Sequence, residues 1–153
     1  MSALTDAEVG TYFRQHFVAS FQKVGTFRIV DGQKQGGNVA SYFCTPGGRV
    51  LHAVAGPVDA ATLLREAKWA VETWKLARLE CGGDARKLGD FFHRAHARRF
   101  REDNVGEAQR RVHLILTAAP LPRVGSIYRL VFEKVLGEQV STDPVAETGA
   151  ARQ

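Results

Sequence analysis

The sequence has little of what marks a secreted or a membrane protein. Its 153 residues contain only two cysteines, Cys44 and Cys81, too few for a disulfide framework. No apolar run approaches the roughly 18 residues that a membrane span needs. The first ten residues, MSALTDAEVG, have neither the basic nor the apolar segment of a signal peptide. We therefore expect a cytoplasmic protein that has no membrane partner.

The composition is that of an ordinary globular chain. Hydrophobic residues make up 44% and charged residues 24% of the sequence, and the length is enough to bury a core. The net charge is +5 and the sequence pI is about 9.6. This basic balance permits an acidic partner or nucleic acid without requiring either.

The first half of the chain predicts helix and strand in alternation. Thr5 and Glu8 are spaced as a capping box at the start of the first helix. Pro46 and Gly47 suit a type II turn between two apolar strands. In chain order we predict a helix over 6–15, a strand over 16–24 that TFRIV extends or follows, a loop over 31–38, paired strands over 39–44 and 49–55, and a helix that Asp59 caps and that runs to Glu80.

The second half of the chain predicts helices only. Apolar residues recur at helical spacing over 85–102, over 104–119 and over 124–137. Asn104 and Glu107 are spaced as a second capping box. The tail after residue 139 has no apolar period, which predicts disorder.

The order of these elements resembles the second half of a thioredoxin fold. The stretch DAEVGTYFRQHFVASFQKV resembles the helix and strand that follow the redox motif, and ASYFCTPGGRVLHAVAGPVDAATLLREA resembles the closing hairpin and terminal helix. Gly48 and Gly56 fall where that family often has glycine. The resemblance covers Thr5 to Ala77. It implies an α/β protein: a truncated thioredoxin-like sheet of three to four strands over 1–82, a helical extension over 83–139 packed on it, and a disordered tail over 140–153.

The departures from that family bear on function. The chain has no Cys-x-x-Cys motif, and Val39 stands where the family places a cis-proline. The strand that should precede the redox motif is also missing. We therefore predict a redox-inactive module that acts in protein binding or assembly and uses no cofactor. An incomplete sheet leaves a free edge, through which a partner or a second copy can bind as a homodimer.

Cys44 is the one candidate for thiol chemistry. It lies near the end of an apolar strand, where burial raises the pKa of a thiol, so the pattern favours packing over reactivity. Single-cysteine oxidoreductase chemistry remains the enzymatic alternative. Cys81 is predicted at a helix C-terminus, where the helix dipole disfavours a thiolate.

His93 and His96 are the candidates for metal binding. Three residues apart on a predicted helix, they share a face, and His113 or Glu107 could supply a third ligand. The arginines crowded around them would repel a cation. We therefore predict solvated histidines on a basic face and no metal.

The Arg-rich segment over 90–111 is the third candidate. Arginine binds phosphate and carboxylate bidentately, so nucleic acid or an acidic partner is an alternative function. Acidic residues over 102–107 are interspersed, which favours a solvated, ion-paired surface. The candidate binding residues are Arg94, Arg98, Arg99, Arg101, Arg110 and Arg111.

Overall fold

The computed structural model describes residues 3–20, 24–36 and 38–141. Within these ranges the protein is mixed α/β, with five α-helices and two small antiparallel sheets. The helices are α1 Ala7–His16, α2 Ala60–Cys81, α3 Ala85–Phe100, α4 Glu107–Ala118 and α5 Val124–Leu130, which a π-helical turn Val131–Val135 continues. The strands are β1 Thr26–Val30, β2 Gln33–Gly36, β3 Ala40–Cys44, β4 Val50–Ala55 and β5 Gln139–Val140. None of the described helices is both long and apolar enough to cross a membrane.

The first sheet has the order β2-β1-β5. The prediction of a loop over 31–38 is wrong for residues 33–36, which form β2 and pair with β1 across a turn at Asp31-Gly32, while residue 37 lies outside the described residues. Both turn residues have positive φ, 51° and 79°, as a type I′ hairpin requires. Val140 pairs with Thr26, so the first residue of the predicted tail belongs to a strand, and residues 142–153 lie outside the described residues.

The strand predicted over 16–24 is also wrong where the chain is described. Helix α1 continues through His16, and residues 17–20 form no regular element, while 21–23 lie outside the described residues. The aromatic residues that favoured a strand pack in another way. Phe13 and Phe17 place their rings 5.9 Å and 5.3 Å from the ring of Phe43 on β3. Their burial therefore comes from contact with the second sheet and needs no strand pairing.

The second sheet is the predicted hairpin of β3 and β4. Its turn differs from the prediction, because the positive φ lies at Gly48 (82°) and not at Gly47. The amide of Gly48 donates to the carbonyl of Thr45 at 2.9 Å. Every residue of β4 is buried. This strand is therefore the centre of the fold, with layers on both of its faces.

The helix boundaries follow their caps. Asp59 accepts a hydrogen bond from the Thr62 amide at 2.7 Å, as predicted, and Gly82 ends α2 with a φ of 59°. The two predicted capping boxes are wrong. Asp6 caps α1 in place of Thr5, and α4 begins after Gly106 rather than at Asn104.

Two apolar clusters meet at β4. Leu51 and Val54 join the cluster formed with α1, α2 and α3, whereas Val50, Ala53 and Ala55 join the cluster formed with α4 and α5. Phe92 of α3 is fully buried in the first cluster. The helices after residue 82 thus pack on the hairpin, α3 in the first cluster and α4 and α5 in the second.

Gly56 ends β4 in a conformation that only glycine adopts easily, and this gives a stability prediction. Its φ is 83°, and an added Cβ would lie 3.1 Å from Cδ2 of Leu136. We expect Gly56→Ala to lower the free energy of unfolding by about 1–2 kcal/mol. Gly89→Ala is the control: no atom lies within 4 Å of its added Cβ in α3, so it should raise stability by about 0.5–1 kcal/mol. Urea unfolding of both variants measures the difference, and equal midpoints would contradict the prediction.

Candidate metal centre

Three histidines from three elements meet in the interior. His52 comes from β4, His96 from α3 and His113 from α4, and each is fully buried. One ring nitrogen of each lies within 4.8 Å of those of the other two. A histidine is seldom fully buried without a partner. Three in mutual contact therefore form the polar centre of an otherwise apolar core.

The surrounding elements fix the positions of these rings. Helices α3 and α4 pack against one another and bring His96 opposite His113, while β4 presents His52 beside them, stacked on His113. Trp69 of α2 closes the group. Its ring centroid lies 4.9 Å from that of His52, 5.2 Å from that of His96 and 5.4 Å from that of His113. The histidines thus lie in an aromatic surrounding that excludes water.

The hydrogen bonds fix the tautomers of His96 and His113. The carbonyl oxygen of Leu51 can only accept, so His96 donates to it through Nε2 at 3.0 Å. Because a neutral imidazole carries only one N–H, Nδ1 of His96 is unprotonated and accepts a hydrogen bond. His113 donates that bond through its own Nδ1, at 2.9 Å. Nε2 of His113 is consequently a buried lone pair, with no hydrogen-bond partner among the described residues.

A carboxylate orients the third ring. His52 donates through Nε2 to Oε2 of Glu66 at 2.8 Å, which leaves Nδ1 of His52 as a second buried lone pair without a described partner. Arg99 donates through Nη2 to both oxygens of Glu66, at 2.8 Å and 2.9 Å. Burial raises the pKa of Glu66, but the bonds from His52 and Arg99 outweigh burial and hold that pKa below its ordinary value. Glu66 is therefore a buried anion that Arg99 compensates, with the exposed Arg65 3.8 Å away as a weaker second cation.

All three imidazoles are held neutral. Burial lowers the pKa of His52 and of His113, and lowers the pKa of His96 to about 3. The positive charge of Arg99 lowers each of these pKa values further. Metal ligation requires the neutral ring, so the cluster has the protonation state of a ligand set at neutral pH.

The geometry is close to that of a three-histidine metal centre. Zn–N bonds of about 2.0–2.1 Å place tetrahedral ligand nitrogens about 3.3 Å apart. The Nδ1 atoms of His96 and His113 are 2.9 Å apart, and no pair in the set exceeds 4.8 Å. His52 stacks on His113 with an angle of 14° between the rings. The lone pairs of two stacked imidazoles lie in nearly parallel planes, so they do not point at one atom. Either His52 or His113 must therefore turn about its soft χ2 bond before both rings can bind the same ion.

The sequence prediction found part of this cluster. His96 and His113 do come together, but the interpretation of His96 as solvated is wrong because it is fully buried. His93 is exposed, and its Nδ1 bonds to the carbonyl of Thr117 at 2.8 Å. Glu107 is exposed and pairs with Arg111. His52 was missed, although a single histidine inside the apolar run VLHAVA was a signal of a buried polar group.

Cys44 is half-buried and unpaired. Burial raises the pKa of its thiol, the direction that packing predicts and that a nucleophile would not have. Cys81 is also free and half-buried. Neither cysteine belongs to the histidine cluster.

The six candidate arginines separate into two groups. Arg99 binds Glu66, Arg110 donates to the carbonyl of Glu102 at 3.2 Å, and Arg111 pairs with Glu107 at 2.7 Å. The other three share one exposed groove of about 420 Å³ with His93 and Ala97; they are Arg94, Arg98 and Arg101. The first group bonds to other groups of the chain, whereas the second faces solvent without an ion pair to a described residue.

No protein-family model, curated protein or solved structure matches this chain. Its function is therefore inferred from the chemistry of the histidine cluster and of the arginine groove.

Proposed function

We propose that the protein binds one divalent transition-metal ion, Zn²⁺ in the first instance, through His52, His96 and His113. The observation that carries the proposal is the meeting of three fully buried, neutral imidazoles. Metal-binding histidines commonly donate their second ring N–H to a carboxylate or a backbone carbonyl. His52 does so to Glu66, which leaves its Nδ1 for an ion. His96 does so to Leu51, and its Nδ1 becomes available to the ion once His113 turns its Nδ1–H away.

The alternative is an inert buried cluster, and energetics argue against it. Nδ1 of His52 and Nε2 of His113 are buried without a described partner. Each unsatisfied buried polar group costs about 1–3 kcal/mol. Apolar side chains of similar size would avoid both penalties. An ion that uses these lone pairs offsets the cost and explains why three polar rings occupy the centre of the core.

The burial of the site indicates a structural ion. Imidazole suits Zn²⁺, Cu²⁺ and Ni²⁺, and Zn²⁺ imposes no geometric preference from its d electrons. The three ligands belong to β4, α3 and α4. One ion would therefore join the hairpin to both helices. Its binding free energy would add directly to the stability of the fold.

Metal binding is tested by titrating chelator-treated protein with Zn²⁺ in a calorimeter. We expect one ion per chain. At a free Zn²⁺ concentration of 100 Kd the free energy of unfolding should rise by about 2.7 kcal/mol. His52→Gln and His113→Gln should each weaken binding strongly, because glutamine removes the imidazole and keeps a polar side chain.

Two controls separate this site from other ligands. His93→Gln removes an exposed histidine of α3, the helix that carries His96. The double variant Cys44→Ser with Cys81→Ser removes both thiols. Both controls should bind Zn²⁺ as the parent does. Equal affinity in His113→Gln and the parent, or loss of binding in the cysteine double variant, would contradict the proposal.

The thioredoxin-like arrangement, with a non-catalytic role in protein binding, remains a prediction beside the metal centre. The raised pKa of Cys44 supports its non-catalytic part. The metal proposal does not depend on it, since it rests on the burial and mutual contact of the three histidines.

A further inference from the structure

The outward face of α3 carries a groove whose charged side chains have one sign. Arg94, Arg98 and Arg101 line it with His93 and Ala97. The three arginines are exposed, and no carboxylate of the described residues lies within 4.0 Å of them, because the ion pairs there join other residues. The opposite face of the same helix carries His96. The groove and the histidine cluster are therefore separate features.

The arginines follow one line along the helix. Their spacing of four and seven residues places Arg98 about 6 Å and Arg101 about 10.5 Å from Arg94 along the axis, at a rise of about 1.5 Å per residue. The favourable dipole at a helix C-terminus explains a cation in the last turn, where Arg98 lies, but not Arg94. A row of unpaired guanidinium groups suits a row of phosphates.

The rest of the lining distinguishes between polyanions. A protein partner is usually anchored by large apolar or aromatic side chains, and the groove offers only Ala97 as an apolar residue. Single-stranded nucleic acid is usually held by base stacking on several aromatic rings, and the groove offers only the His93 imidazole, whose Nδ1 is already bonded to the Thr117 carbonyl. A duplex presents its phosphates outward and needs only cations for sequence-independent binding.

We propose that this groove binds the phosphate backbone of double-stranded nucleic acid without sequence preference, through Arg94, Arg98 and Arg101. Each guanidinium contacts one phosphate and releases its counterions. Three contacts on B-DNA predict a slope of about −2.7 for log K against log salt, at about 0.9 for each phosphate.

The test is fluorescence anisotropy of a labelled 20-base-pair duplex of random sequence, titrated with the full chain between 25 and 150 mM NaCl. We expect a slope of about −2.7 that does not change with the sequence of the duplex. Arg94→Gln with Arg98→Gln should reduce the slope to about −0.9. Circular dichroism confirms that the variant is folded, which is expected because both side chains are exposed.

The matched control removes the same charge elsewhere. Arg111→Gln with Arg129→Gln lowers the net charge equally, and both of these arginines are exposed outside the groove. This control should keep a slope near −2.7. Equal losses in the two double variants, tighter binding of single strands or of polyglutamate than of the duplex, or no binding at 25 mM NaCl would each overturn the proposal. A chelator should leave duplex binding unchanged, so this test and the metal titration fail independently.

Discussion

Replacing Glu66 by glutamine is expected to lower the free energy of unfolding by about 3 kcal/mol. The substitution keeps the size of the side chain and removes the buried negative charge. Arg99, which now donates to both carboxylate oxygens, would lose its buried counter-charge and keep only Glu102, whose half-exposed carboxylate lies 3.6 Å away. The loss falls at the low end of the range for broken buried pairs because the Arg99 side chain is still 12% exposed.

The same substitution should also weaken metal binding by about 10- to 100-fold, because Glu66 orients the His52 ring from behind. Glu72→Gln is the control: Glu72 is an exposed carboxylate on the same helix, and its loss should change stability by less than about 0.5 kcal/mol. Urea unfolding measures the first effect and Zn²⁺ calorimetry the second. A Glu66→Gln variant as stable as Glu72→Gln would contradict the account of the buried pair.

The metal-free protein is expected to lose stability steeply as the pH falls below about 6.5. Its three buried histidines have pKa values lowered by burial, that of His96 to about 3, whereas in the unfolded chain they titrate near 6.5. The native state therefore binds fewer protons than the unfolded state in this window. Stability is fully present above about pH 6.5 and falls by about 1.4 kcal/mol per pH unit for each histidine. The pKa of Glu66 is also lowered in the folded protein, so stability falls further once the pH drops below the ordinary pKa of a glutamate.

Unfolding monitored by circular dichroism from pH 7.5 to 4 in the presence of a chelator measures this loss. His113→Gln should reduce the slope of stability against pH by about one proton. His16→Gln is the control, because His16 is exposed and lies outside the histidine cluster, against the ring of Tyr12. A stability that is flat between pH 7 and 5, or an equal change of slope in both variants, would show that the histidines titrate as they do in water.

Local signals in the sequence were enough to predict most of the helices and the central hairpin. Asp59 and Gly82 are adjacent to the ends of α2 and act through bonds within one turn, so their roles can be read from the chain. The β1–β2 hairpin was missed because its glycine-rich, polar composition is typical of loops. The Asp31-Gly32 dipeptide was the signal that should have outweighed that composition.

The histidine cluster could be predicted only in part. His93 and His96 are three residues apart on one helix, and this spacing predicted that they share a face. Which of the two rings lies in the core depends on how α3 packs on β4 and α4. His52 and His113 are 61 positions apart in the chain, and no local rule brings them within stacking distance. Which face of α3 packs into the core depends on tertiary contacts and cannot be read from the local sequence. For this reason His96 was predicted to be solvated and was grouped with His93.

The most direct test of the metal centre is a crystal structure of the protein grown with one equivalent of Zn²⁺, with anomalous data collected at the zinc absorption edge. We expect one strong anomalous peak, about 2.0–2.1 Å from one nitrogen each of His52, His96 and His113, with one imidazole turned from its stacked position. An empty histidine cluster, with the zinc at Cys44, Cys81 or a surface histidine, would contradict the proposal.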